Sequence, residues 1–133
     1  VKAYLLDTHA LLLVALNRRA LDPKARDILF GATLYASVVS GAEIAIKSAL
    51  GKLPLPPPFE TDFEGAFRLL LEKSAVDLLT LDLPTVARLR HLPLHHRDPF
   101  DRLIIAQAFQ TGLAVATRDS AFAAYVGLEI LSV

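Results

Sequence analysis

Asp7, Glu43, Asp101 and Asp119 each stand where a strand-like or loop-like run gives way to a helical one. Taken singly, each has an ordinary use. Asp7 can cap the helix that follows it, and Asp119 the short helix that follows it. Ser40-Gly41-Ala42-Glu43 fits a capping box, and Glu43 can also pair with Lys47 one turn on. Asp98-Pro99-Phe100-Asp101 reads as a helix start, with Asp at the cap, Pro at the first position and an acid at the third. Capping alone would be served as well by Ser, Thr or Asn, so four acids suggest that negative charge itself is wanted. Carboxylates gathered in one place raise one another's pKa unless a cation joins them. Mg²⁺ or Mn²⁺, with their preference for oxygen ligands, are the simplest such cations.

Other chemistries fit less well. Gly31, Gly41, Gly51 and Gly65 match neither a phosphate loop nor a dinucleotide fingerprint, and no Ser sits in a Gly-x-Ser-x-Gly elbow. The chain has no Cys, which excludes disulfides, thiolate metal sites and a cysteine nucleophile. His95-His96 is a poor zinc pair, because adjacent residues rarely face one ion; both read as surface or substrate-contact residues. His9, two residues after Asp7, can help hold a phosphate or simply sit at a helix N-terminus.

The elements that must position these acids alternate between the two kinds. Strands are expected at Tyr4–Leu6, Leu34–Val38, Val76–Leu79, Leu113–Thr117 and Leu128–Leu131. Helices are expected at Thr8–Asn17, Pro23–Phe30, Ser40–Leu50 with Gly51 as its stop, from Phe63 to Leu71, and at Pro84–Arg90. Two more are expected at Pro99–Gln110, ended by Gly112, and at Ser120–Tyr125. Leu53–Phe59, with Pro54, Pro56, Pro57 and Pro58, must be an extended connector. Such alternation implies a largely parallel sheet covered by helices on both faces. Sites in these sheets lie beyond the carboxyl ends of the strands, where acids far apart in sequence can converge.

The length of 133 residues suits one domain over 1–133. Fourteen basic residues balance fourteen acidic ones, so nucleic acid would have to be held by a local patch. Arg88, Arg90, His91, His95, His96, Arg97 and Arg102 crowd one segment and form the candidate patch. Hydrophobic residues make up 53% of the chain, with a mean hydropathy of +0.44, which leaves apolar surface for a partner or a second copy to cover. The opening residues do not read as a signal peptide, and the longest apolar stretch, Ala10 to Leu16, is too short to span a bilayer. A cytoplasmic location is the expectation.

Longer motifs surround the acids. They are Leu5-Leu6-Asp7-Thr8-His9-Ala10-Leu11-Leu12, Glu43-Ile44-Ala45-Ile46-Lys47 with Gly51-Lys52-Leu53, and the run His95-His96-Arg97-Asp98-Pro99-Phe100-Asp101-Arg102 through Ala108. Thr117-Arg118-Asp119 followed by Phe122 completes the set. In this order the chain resembles PIN domains of the VapC toxin type along nearly its whole length. The resemblance implies a three-layer α/β/α fold around a parallel five-stranded sheet of order 3-2-1-4-5. It also implies Mg²⁺- or Mn²⁺-dependent ribonuclease activity, a small VapB-like antitoxin and a homodimer.

Carried over by position, Asp7, Glu43, Asp101 and Asp119 are the catalytic and metal-binding acids. Asp98 ranks below them, since Asp-Pro at a helix start accounts for it. Thr8, His9, Thr117 and Lys47 are accessory candidates, and His96, Arg97 and Arg102 candidate RNA contacts. One departure is Ala42, where many relatives carry Trp; it is expected to alter packing or partner contact near Glu43. Two rival readings stay open. One is an aspartyl-nucleophile phosphatase of haloacid-dehalogenase type, although His9 stands where its second acid belongs. The other is a non-catalytic module that binds RNA or antitoxin.

Overall fold

The computed structural model describes residues 2–133. Five strands, β1 (Ala3–Leu6), β2 (Thr33–Ser37), β3 (Val76–Leu79), β4 (Ala114–Thr117) and β5 (Ile130–Ser132), pair in parallel in the order 3-2-1-4-5. The connecting helices are α1 (Thr8–Leu16), α2 (Pro23–Phe30), α3 (Val38–Ala49), α4 (Pro58–Thr61), α5 (Phe63–Lys73), α6 (Leu83–Arg88) and α7 (Pro99–Thr111). Short 3₁₀ turns occupy Arg18–Ala20 and Ser120–Ala124. This is the α/β/α fold expected from the resemblance.

Strand alternation divides the core in two. Tyr4 and Leu6 of β1 face one cluster, with Ala10, Leu11 and Val14 of α1, Leu29 of α2 and Phe67 and Leu71 of α5. Leu5, between them, faces the other, with Val115 of β4, Ile104, Ile105 and Ala108 of α7, and Phe122. Successive side chains on a strand point to opposite faces, so a sheet covered on both sides needs apolar residues without interruption. That is why β1 reads Ala-Tyr-Leu-Leu and β4 reads Ala-Val-Ala-Thr.

Several expected boundaries move. The helix after β2 starts at Val38, capped by Ser37, whose Oγ accepts the Val39 N–H at 3.0 Å. Ser37 still pairs with Leu79 in the sheet, and its extended backbone (φ −79°, ψ 146°) makes it the last strand residue and the cap at once. Ser40 therefore lies inside the helix and there is no capping box to Glu43. The proline connector is extended only to its last prolines; Pro58–Thr61 forms a single helical turn, because Pro is tolerated where a helix has no N–H to satisfy. The last strand begins at Ile130 and not Leu128, since Gly127 (φ 87°) and the Leu128 N–H bond to the Tyr125 carbonyl extend the turn.

Gly112 ends α7 with φ 72°, and its N–H returns to the Ala108 carbonyl. A Cβ in this left-handed conformation is disfavoured by roughly 1–2 kcal/mol. Gly112→Ala is expected to lower stability by about 1 kcal/mol in urea unfolding; an unchanged midpoint would mean that the turn relaxes freely.

Candidate metal centre

β1 and β4 are neighbours at the centre of the sheet, and the chain leaves their carboxyl ends in opposite directions along the strand order. Asp7 follows β1 directly, and Asp119 follows β4 by two residues. The N-terminus of α7 brings Asp98 and Asp101 to the same edge, and the second turn of α3 brings Glu43. Asp7, Glu43, Asp98, Asp101 and Asp119 line one open cleft of about 310 Å³, together with Thr8, His9, Lys47 and Arg118. Glu43 does not lie at a junction as expected; it reaches the cleft from within a helix.

Each carboxylate has a different set of compensating partners. Asp7 is 4% exposed; its Oδ1 accepts the Ala10 N–H at 2.8 Å, and its Oδ2 accepts the Thr117 hydroxyl. The Asp119 N–H donates to Thr117 Oγ1 at 3.0 Å, which leaves the Thr117 proton for Asp7. Burial raises the Asp7 pKa, against the opposing pull of those hydrogen bonds. Glu43 Oε2 accepts from Lys47 Nζ at 2.6 Å, while its Oε1 is buried with no hydrogen-bond partner. Asp119 is held below its ordinary pKa by the Ala121 N–H and by the hydrogen bond to His96.

Asp101 is the least compensated acid. Burial first, then the negative charges of Asp98, Asp7 and Glu43, push its carboxyl up to about 7, against the attraction of His96. Asp98 has a structural occupation: its Oδ1 caps α7 by accepting the Phe100 N–H at 2.8 Å and the Asp101 N–H at 3.3 Å.

The surrounding candidates divide. Thr8 is buried and donates to Ser40 Oγ at 2.9 Å, tying α1 to α3. His9 is exposed on the rim of the cleft, and Arg97, next in sequence to Asp98, is exposed but does not line it. Arg102, expected to meet RNA, instead donates to the carbonyls of Leu92, Pro93 and His96 at 2.9–3.2 Å. Arg88 is turned to Gln110 Oε1 at 2.6 Å. The basic segment is thus partly internal wiring.

His96, expected on a solvated loop or against substrate, is turned into the acidic cluster, with Nε2 2.6 Å from Asp119 Oδ2 and 3.2 Å from Asp101 Oδ2. One ligand atom from each of these three residues lies within 4.8 Å of the others. Nothing in the run His95-His96 signals this, because the loop has no periodicity; only the pairing of Arg102 with the loop carbonyls reveals its path. Arg118 was also missed; it lines the cleft while its guanidinium holds the Val133 and Ala20 carbonyls.

These features suit a divalent cation. The donors are hard carboxylate oxygens, one of them buried and unpartnered, and the negative charge exceeds what nearby cations neutralise. The fold and the acidic cleft together define an α/β domain built around a carboxylate centre. The PIN domain family model matches residues 4–128, and the chain belongs to that family.

Among solved structures the chain is similar to VapBC2 from Rickettsia felis bound to a promoter DNA fragment, with a TM-score of 0.69, 14% identity and 98% of each chain covered. It is also similar to DNA-bound VapBC from Salmonella typhimurium, with a TM-score of 0.68, 17% identity, and 99% of this chain and 98% of that one covered. VapBC-5 from Mycobacterium tuberculosis, a member of the VapBC family of toxin-antitoxin systems, aligns over 100% of both chains at 25% identity and a TM-score of 0.58. A search among curated proteins gives no match.

The folded Asp101 carboxyl titrates near 7 and an unperturbed one at 3.8, so between those values the folded chain holds the additional proton. Its contribution to stability is therefore greatest below about pH 4, declines as pH rises toward 7 and is level above that. In metal-free buffer, Asp101→Asn is expected to gain stability relative to wild type across this window, read by urea unfolding. A difference between the two proteins that is independent of pH would contradict the crowded-carboxylate geometry.

Proposed function

We propose that this chain is a Mg²⁺- or Mn²⁺-dependent endoribonuclease, the toxin of a toxin–antitoxin pair, in which Asp7, Glu43, Asp101 and Asp119 hold the cation. The observation that carries this reading is the convergence of these carboxylates on one cleft with a buried, unpartnered oxygen on Glu43. When bound, such an ion supplies polarisation of the scissile phosphodiester and eases proton loss from an attacking water. The chain's own residues supply the rest. Ala10 N–H and the Thr117 hydroxyl fix the Asp7 carboxylate, and Lys47 offsets part of the charge on Glu43.

The aspartyl-phosphatase reading is disfavoured, because His9 stands where that class places its second acid, two residues after Asp7. The reading of a non-catalytic module loses ground to an intact acid set.

The RNA path we assign runs over α1 and α3. A second cavity of about 260 Å³ shares Thr8, His9, Glu43 and Lys47 with the acidic cleft and adds Lys52 and an apolar lining of Leu12, Ile44 and Leu53. Exposed Lys52 and His9 would hold a phosphate beside the scissile one, with a base against the apolar lining. Exposed Arg97, next to Asp98 in sequence, would add a further phosphate contact.

A small antitoxin would cover the outer face of α3. There, Val38, Gly41, Ala42, Ala45, Phe67 and Leu78 line a largely apolar groove of about 390 Å³, with Glu64 and Arg68 at its edge. VapBC-5, to which the chain is similar, is a member of the VapBC family of toxin-antitoxin systems, which supports such a partner. Exposed Leu83, Leu94 and Val126 leave apolar surface for the homodimer contact. Among the described residues no helix is long and apolar enough to cross a membrane.

Cleavage of a mixed RNA pool is expected to require Mg²⁺ or Mn²⁺ and to stop with EDTA. Asp7→Asn and Asp101→Asn are expected to lower it at least about 100-fold while remaining folded. Equal cleavage by all three proteins would sink the assignment, and phosphate trapped on Asp7 would revive the phosphatase. Separately, Lys52→Glu is expected to raise KM roughly 5-fold or more with kcat little changed, and to flatten the salt dependence of binding. An unchanged KM would move the RNA path elsewhere.

A further inference from the structure

The segment from Leu92 to Asp98 is held by tertiary contacts at several points. Arg102 binds three of its carbonyls, as described above, and the His96 N–H donates to Tyr125 Oη at 3.0 Å. The His95 ring meets Tyr125 edge-on at 4.9 Å, and the His96 ring meets Phe122 edge-on at 5.6 Å. These contacts seat His96 with its side chain only 13% exposed. Its place is set before any ligand arrives.

The two ring nitrogens have different neighbours. Nδ1 lies 3.2 Å from the backbone N–H of Asp98, which can only donate. Nδ1 must therefore present its lone pair, and the imidazole proton belongs on Nε2. Nε2 faces the Asp119 carboxylate, whose Oδ2 accepts at 2.6 Å, with Asp101 Oδ2 3.2 Å away. By distance, His96, Asp101 and Asp119 would pass for a three-ligand metal set. The hydrogen bonds say otherwise. A histidine ligates a metal through an unprotonated nitrogen, and freeing Nε2 would force a proton onto Nδ1, directly against the Asp98 N–H.

We propose that His96 is a positioning residue of the metal centre and not a ligand: its Nε2–H holds the Asp119 carboxylate in its ligating orientation, with Asp101 Oδ2 beside it at 3.2 Å. The Asp98 N–H fixes the tautomer, so the residue that caps α7 also sets the chemistry of the histidine two positions before it. Hydrogen-bond partners that orient ligating groups typically change metal affinity or activity 10–100-fold when removed. This role rests on the reading that the cleft takes a divalent cation.

The test uses the full chain. In the metal-free protein, ¹⁵N–¹H correlation of the imidazole is expected to show the Nε2–H tautomer. With Mn²⁺ bound, electron spin-echo modulation is expected to show no directly coordinated imidazole nitrogen. His96→Gln, whose amide N–H reaches the place of Nε2, is expected to keep Mn²⁺ affinity within about 3-fold, whereas His96→Ala weakens it roughly 10–100-fold. A strongly coupled nitrogen that vanishes in His96→Gln would make His96 a ligand and overturn the proposal. Equal Mn²⁺ affinity in both variants and wild type would remove the positioning role. An Nδ1–H tautomer sinks the role of His96 alone, while Mn²⁺ that fails to bind wild type sinks the cation reading and this role with it.

Discussion

Repulsion among carboxylates at one edge of the sheet is the constraint on which the rest of this structure turns. The order 3-2-1-4-5 sets β1 beside β4, so Asp7 and Asp119 leave the sheet at adjacent points. The start of α7 adds Asp98 and Asp101, and α3 adds Glu43. Helix N-termini and backbone N–H groups favour nearby negative charge, and here Ala10, Phe100, Asp101 and Ala121 each donate to one of these acids. The compensation is incomplete. Asp101 is pushed up to about 7, and one oxygen of Glu43 is buried without a partner. A divalent cation would relieve both defects at once.

Capping and chemistry are not exclusive uses of these residues. Asp7 and Asp119 each give one oxygen to a backbone N–H and the other to a side chain, Thr117 or His96. The cap therefore fixes the carboxylate's orientation. Asp98 differs in that a single oxygen serves two N–H groups, while its own N–H faces His96. Its value to the centre is indirect, through Asp101 and the histidine.

Much of the fold was legible because its signals are local. Pro23, Gly112 and the apolar runs of β1 and β4 mark their elements by geometry that no distant contact needs to supply. The convergence of the acids was legible from the placement of Asp7 and Asp119 beyond strand ends. Other features depended on long-range pairing. Ser37 and Ser40 are both good caps, and only the pairing of Ser37 with Leu79 selects the first. Arg102 read as an RNA contact because its carbonyl partners lie in a loop without periodicity, and the same loop hid the inward turn of His96.

The cleft at the ends of β1 and β4 is proposed to be a divalent-cation site made by this carboxylate cluster. Anomalous diffraction from crystals grown with millimolar Mn²⁺ tests it most directly. A manganese peak is expected in the cleft, within bonding distance of carboxylate oxygens that include those of Asp7 and Asp101. A cleft without manganese, or manganese bound only at surface acids elsewhere, would contradict it.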